Sequence, residues 1–125
     1  MNRSVLLSIT LIAILLVIGG CNTGIEKVDE VSIHEMESFS EVKEDTLVTF
    51  TDENEIKKFK KAISGAKKQP GVVDMADPHY KVELGGKSFF LWLSQDHGTI
   101  MKVENTNTIY SLKKKSVSDM NELLN

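Results

Sequence analysis

The sequence predicts an α+β domain: a largely antiparallel sheet in the order ββαββββα, with helices packed on one face, preceded by a lipoprotein signal peptide. Three observations carry this. Apolar and polar residues alternate on either side of Gly85-Gly86, apolar residues recur every three or four positions from Ile56 to Ala66, and a long hydrocarbon run ends at Ile18-Gly19-Gly20-Cys21. The first pattern is the period of a half-buried strand and the second that of an amphipathic helix, so strands and one helix must share a core.

Taken in order, Met1-Asn2-Arg3 is a short positive start, and Val5 to Ile18 is apolar except for Ser8 and Thr10. A permanent span needs about 20 apolar residues to cross about 30 Å of hydrocarbon, so this run has the length of a signal peptide core. A branched apolar residue, two small residues and a cysteine then resemble the bacterial lipobox, where the thiol is alkylated with diacylglycerol and the chain is cut before it. Small residues let an extended backbone enter the peptidase cleft. Residues 1–20 are therefore expected to be the signal, and Cys21 the lipidated N-terminus. Cys21 is the only cysteine, which makes an intramolecular disulfide impossible and leaves a lone thiol to explain in an exported chain. The competing reading is an uncut signal anchor. Buried acyl carbons contribute about 0.8 kcal/mol each, so two or three chains hold the protein firmly on the membrane without threading it through.

Residues 21–30 read as the lipidated N-terminus and a polar linker, long enough to place the domain at most about 30 Å from the headgroups. The domain is expected over 31–125. Val31 and Ile33 alternate with Ser32 and His34 in a first strand that ends near Phe39, and the β-branched run Thr46 to Thr51 is a second strand. Asp52 caps a helix with Glu55 three residues on; Ile56, Phe59, Ala62, Ile63 and Ala66 form its apolar stripe, lysines fill the other side, and Pro70-Gly71 stops it.

Tyr80 to Leu93 is a hairpin. Gly85-Gly86 supplies the positive φ that a two-residue primed turn requires, which pairs Leu84 with Lys87, Val82 with Phe89 and Tyr80 with Leu91. One side then carries Tyr80, Val82, Leu84, Phe89, Leu91 and Leu93; the other carries His79, Lys81, Glu83, Ser88, Phe90 and Trp92. Asp96-His97-Gly98 turns the chain into strands over 99–103 and 108–112, separated by the polar stretch 104–107. Ser116 caps a last helix with the stripe Val117, Met120, Leu123 and Leu124.

The net charge is −3, and loss of residues 1–20 removes Arg3 and no acid, giving −4. That acidic balance gives no sign of nucleic-acid affinity; acids crowd the segment from Glu26 to Asp45 and lysines the segment from Lys57 to Lys68, which reads as solvated faces, the alternative being a basic helix face against anionic membrane or wall polymer. The remaining length is enough for one hydrophobic core and not two, held by packing alone.

Several of these segments, Val48-Thr49-Phe50-Thr51-Asp52, Ile56 to Ile63, Pro78-His79-Tyr80, Phe90-Leu91-Trp92-Leu93 and Thr108 to Leu112, resemble the small YhfM-like domain of Bacillus-type membrane-anchored proteins. The resemblance covers roughly residues 31–125. Its motifs are core pattern, so it implies a fold and supplies no catalytic residue.

The acids and imidazoles that flank the hairpin, Asp74, Asp77, His79, Asp96 and His97, lack the spacing of a metal motif. His79 faces Trp92 in the expected register and reads as a packing partner. No serine sits in a glycine-flanked elbow, and Glu83, Asp74 and Asp96 form a carboxylate pair only if the fold unites them. No cofactor, metal or catalytic residue is expected. Two functions follow. The first is a non-enzymatic binding module on the outer face of the membrane, held by lipid at Cys21 and contacting an envelope protein or wall component through Phe90 and Trp92. The alternative is a small envelope hydrolase or metal-binding accessory protein. Phe90 and Trp92 form an exposed patch in the first reading, unless other elements cover them as a second small core.

Overall fold

The computed structural model describes residues 28–71 and 74–125. The signal, Cys21 and most of the linker lie outside them. Among the described residues no helix is long and apolar enough to cross a membrane.

The strands are β1 (Val31–Glu35), β2 (Val48–Phe50), β3 (Lys67–Lys68), β4 (Tyr80–Leu84), β5 (Lys87–Leu93), β6 (Gly98–Lys102) and β7 (Asn105–Ser111); the helices are α1 (Glu53–Ser64) and α2 (Lys114–Leu124). One seven-stranded sheet has the order β2-β1-β4-β5-β6-β7-β3, and every neighbouring pair is antiparallel. Helix α1 joins β2 at one edge to β3 at the other, so it crosses the strands and shields the sheet on one face. Its stripe Ile56, Phe59 and Ala62 meets Val82, Leu84, Phe89, Leu91 and Ile100, and Val117 and Met120 of α2 complete the same core. Val28 packs against that core too, so the domain includes part of the expected linker.

The hairpin forms in the expected register, Tyr80 opposite Leu91 and Leu84 opposite Lys87, with φ of 57° at Gly85 and 74° at Gly86. Positive φ at both central residues is the mirror-image turn whose twist matches the strands it joins. The helix cap also forms: Asp52 Oδ1 accepts hydrogen bonds from the Asn54 and Glu55 backbone N–H groups at 2.8 and 3.2 Å. That satisfies donors which have no partner inside the helix.

Four elements differ from expectation, each for a local reason. Helix α1 stops at Ser64 and the lysine run leaves it, because the free edge of β7 pairs Lys67 with Ser111 and Lys68 with Tyr110 and the Ile109 carbonyl accepts from the Gln69 N–H at 2.9 Å. This adds a strand to the expected order. The cap of α2 is Lys113 and not Ser116; the helix starts as soon as the Leu112 N–H has bonded the Gly98 carbonyl at 2.9 Å, and Ser116 is buried in its first turn. Strand β1 ends at Glu35 rather than near Phe39, although a bridge between Met36 and Val42 continues the backbone pairing. Finally β7 starts at Asn105, since Lys102 pairs with Asn105 across a tight turn before a bulge shifts Met101 to Ile109.

Candidate functional site

Period-two alternation turns Phe90 and Trp92 of β5 and Met101 of β6 away from the helices, and the register sets Phe90 opposite Met101. These three side chains form a second cluster, 5%, 9% and 2% exposed. Their burial corrects the expectation of an open Phe90–Trp92 patch. The cover is not a regular element. After β1 the chain folds back so that the Phe39 ring stands edge-on to Phe90 at 5.4 Å and 5.8 Å from Trp92, and Met36 packs beside them. From the other side Met75 closes in, and the Trp92 indole N–H donates to the Ala76 carbonyl at 2.9 Å. Loops that lack periodicity thus complete a second core where the length led one to expect a single one.

The cover is incomplete. Phe39, Met75, Phe90, Met101 and Val103, with Asp74 and Thr106 as polar members, border an open groove of about 490 Å³. Ligand sites commonly span about 300–1,000 Å³ and are lined mainly by apolar and aromatic side chains. Three of the four methionines after Met1, namely Met36, Met75 and Met101, border this cluster. Thioethers are polarizable and adapt to irregular apolar shapes. Phe39, Met36 and Met75 are the members that sequence periodicity misses; their place in two irregular segments, one after β1 and one before β4, is the one signal that marks them. Toward β1 and β4 this face is polar: Ser32, His34, Lys81 and Glu83 lie along those strands, where Lys81 Nζ is 3.5 Å from Glu83 Oε1.

The other candidate residues stay apart. His79 Nδ1 accepts a hydrogen bond from the Leu93 N–H at 2.9 Å, so that nitrogen presents its lone pair and a neutral ring carries its proton on Nε2. The imidazole therefore fixes the end of β5, and its ring stands edge-on to Tyr80 at 6.5 Å. His97 and Asp96 lie elsewhere, in an open groove of about 890 Å³ between the β5–β6 turn and α2, together with Lys114 and Ser118. Asn121 ties that turn to the helix, its Nδ2 donating to the Ser94 carbonyl at 2.9 Å. Asp74 belongs to the methionine groove and Glu83 to its ion pair, so Asp74, Glu83 and Asp96 form no carboxylate pair. Among the described residues no three His, Cys, Asp or Glu side chains are placed to share a metal ion. Burial first, and then the carboxylate of its cross-strand partner Glu35, raise the Tyr80 phenol above its ordinary value.

The profile of a protein family described as YhfM protein matches residues 25–125. No curated protein matches the chain. Among solved structures, the fold is similar to the crystal structure of a thioesterase-like protein from Clostridium sporogenes, with a TM-score of 0.61 and 18% identity over 78% of this chain and 94% of that one. At that identity the likeness is one of fold.

Proposed function

This chain belongs to the YhfM protein family, and from that premise we propose that it is a lipid-anchored extracytoplasmic module without enzymatic activity, which binds an apolar group of an envelope partner in the methionine groove. The open, apolar groove over Phe90 and Met101 carries the reading, because the Trp92–Ala76 hydrogen bond ties the segment beside Met75 to β5 while Phe39, 37% exposed, remains at the surface. A fixed wall beside a half-exposed ring limits the entropy lost on binding. The anchor rests on Val5 to Ile18 followed by Gly19-Gly20-Cys21. Wild type should incorporate labelled palmitate and Cys21→Ser should not.

The binding surface is tested by placing a photoactivatable residue at Phe39, at Val103 and, on the helix side, at Lys57, in cells that make the full chain. Adducts with one partner at Phe39 and Val103 and none at Lys57 support the groove; equal yields at all three positions count against it. The likeness to a thioesterase-like protein supports the second reading, a small envelope hydrolase. Turnover of an acyl thioester that disappears in His97→Ala would replace the binding reading.

A further inference from the structure

A second opening lies on the helix side of the sheet, where α1 ends. Ile63, Ser64 and Ala66 come over Phe89, Ile100 and Tyr110 and leave a cleft of about 240 Å³. Its inner wall, Ile63, Phe89 and Ile100, is continuous with the main core. Two lysines, Lys87 and Lys102, stand among the residues that line it. Strand alternation explains why cations occur there: Lys87 is two residues before Phe89 and Lys102 lies opposite Phe89, so both project on the core face, but at strand ends where their long stems reach water. Lys102 Nζ is 6.0 Å from the centre of the Tyr110 ring. Among the described residues neither lysine is ion-paired with a carboxylate, unlike Lys81 with Glu83 and Lys115 with Asp119.

We propose that this cleft binds a single-chain lipid carboxylate, its tail against Ile63, Phe89 and Ile100 and its head between Lys87 and Lys102. The combination is the specific feature. An apolar wall alone accepts any hydrocarbon, with each buried methylene tightening binding about fourfold. Two cations without acidic partners select a chain that ends in a negative charge, and a volume below the usual range for drug-sized ligands favours one chain over the two of a phospholipid. The location agrees: Val31, where the chain enters β1, is paired with Leu84 next to the Gly85-Gly86 turn, so Lys87 lies at the end of the sheet nearest the N-terminal segment. With lipid on Cys21 the cleft would lie within linker reach of a bilayer, where such carboxylates reside. The cleft itself does not depend on the methionine groove.

The test uses the full chain in phosphatidylcholine vesicles with dodecanoate carrying a diazirine at its tail, followed by irradiation and peptide mapping. Adducts are expected on the segments that hold Ile63–Ala66, Phe89, Ile100 and Tyr110. Lys87→Gln with Lys102→Gln should lower their yield at least about tenfold, as loss of charge-assisted contacts implies, while Lys57→Gln with Lys58→Gln should leave it unchanged. The matching dodecanol probe should label weakly. Native Trp92 emission and melting temperature in the double variant confirm that it is folded. Adducts confined to residues 1–27 or scattered over the surface, equal labelling by the alcohol, or no loss in the Lys87/Lys102 variant would each overturn the proposal.

Discussion

Phe59 is the side chain on which the helix-to-sheet layer turns, and Phe59→Ala tests that layer directly. Its ring is 1% exposed, and the Phe50 ring lies 5.1 Å away at 56°. The void beside it among Ala62, Leu91, Ile100 and Met120 measures only about 10 Å³, so neighbours are already close-packed and have little slack with which to fill a hole. Truncation of a buried phenylalanine costs about 3–5 kcal/mol, and the tilted ring pair adds about 0.5–1.5 kcal/mol to what is lost. A domain of this size possesses about 5–15 kcal/mol in all, and each kilocalorie moves the midpoint by about 4–8 °C. Phe59→Ala is therefore expected to lower the melting temperature by more than about 12 °C. Lys57→Ala, on the solvated side of α1, should shift it by no more than a few degrees. The assay is thermal unfolding followed both by far-ultraviolet circular dichroism and by Trp92 fluorescence. Because Trp92 lies in the second cluster, coincident transitions show that both faces melt as one unit. Equal midpoints for Phe59→Ala and Lys57→Ala would refute the assignment of the buried face.

Three further outcomes follow from single contacts. A methyl group added at Gly98 would stand 2.6 Å from Leu112 Cδ1, so Gly98→Ala should destabilise by about 1–3 kcal/mol in urea unfolding, and the cost should shrink when Leu112→Ala is present in the same chain. Additive losses would show that the clash is not the cause. The raised Tyr80 phenol binds its proton more tightly in the folded state, so its contribution is fully present below the ordinary value of 10.0 and is lost as pH rises through the folded value. Tyr80→Phe should therefore flatten the decline of stability at alkaline pH, and an unchanged slope would assign that decline to other groups. Trp92 is the single tryptophan; with its indole 9% exposed and bonded to Ala76, its emission should be blue-shifted and resistant to iodide. A water-like, readily quenched spectrum would mean that the loops do not cover it.

The sequence by itself determined the features on which a local period and a local steric demand agreed. The Gly85-Gly86 turn set the hairpin register because only glycine reaches positive φ without penalty at both positions. Asp52 set the start of α1, and the three-four spacing of Ile56, Phe59 and Ala62 set its buried face. Alternation also told which side of the sheet Phe90 and Trp92 would take. It did not tell what would lie above them. Phe39, Met36 and Met75 reach that face from irregular segments, brought there by a backbone bridge from Met36 to Val42 and a side-chain bond from Trp92 to Ala76, and neither contact leaves a periodic trace in the chain. The same reason explains β3: lysines suited to a helix become strand where β7 offers unpaired backbone groups, since local propensity differs by tenths of a kilocalorie per residue and an edge of unsatisfied donors and acceptors outweighs it. The methionine groove and the lysine-flanked cleft were decided only by tertiary structure, because each is a space between elements, and a space is bounded by residues that the chain keeps far apart.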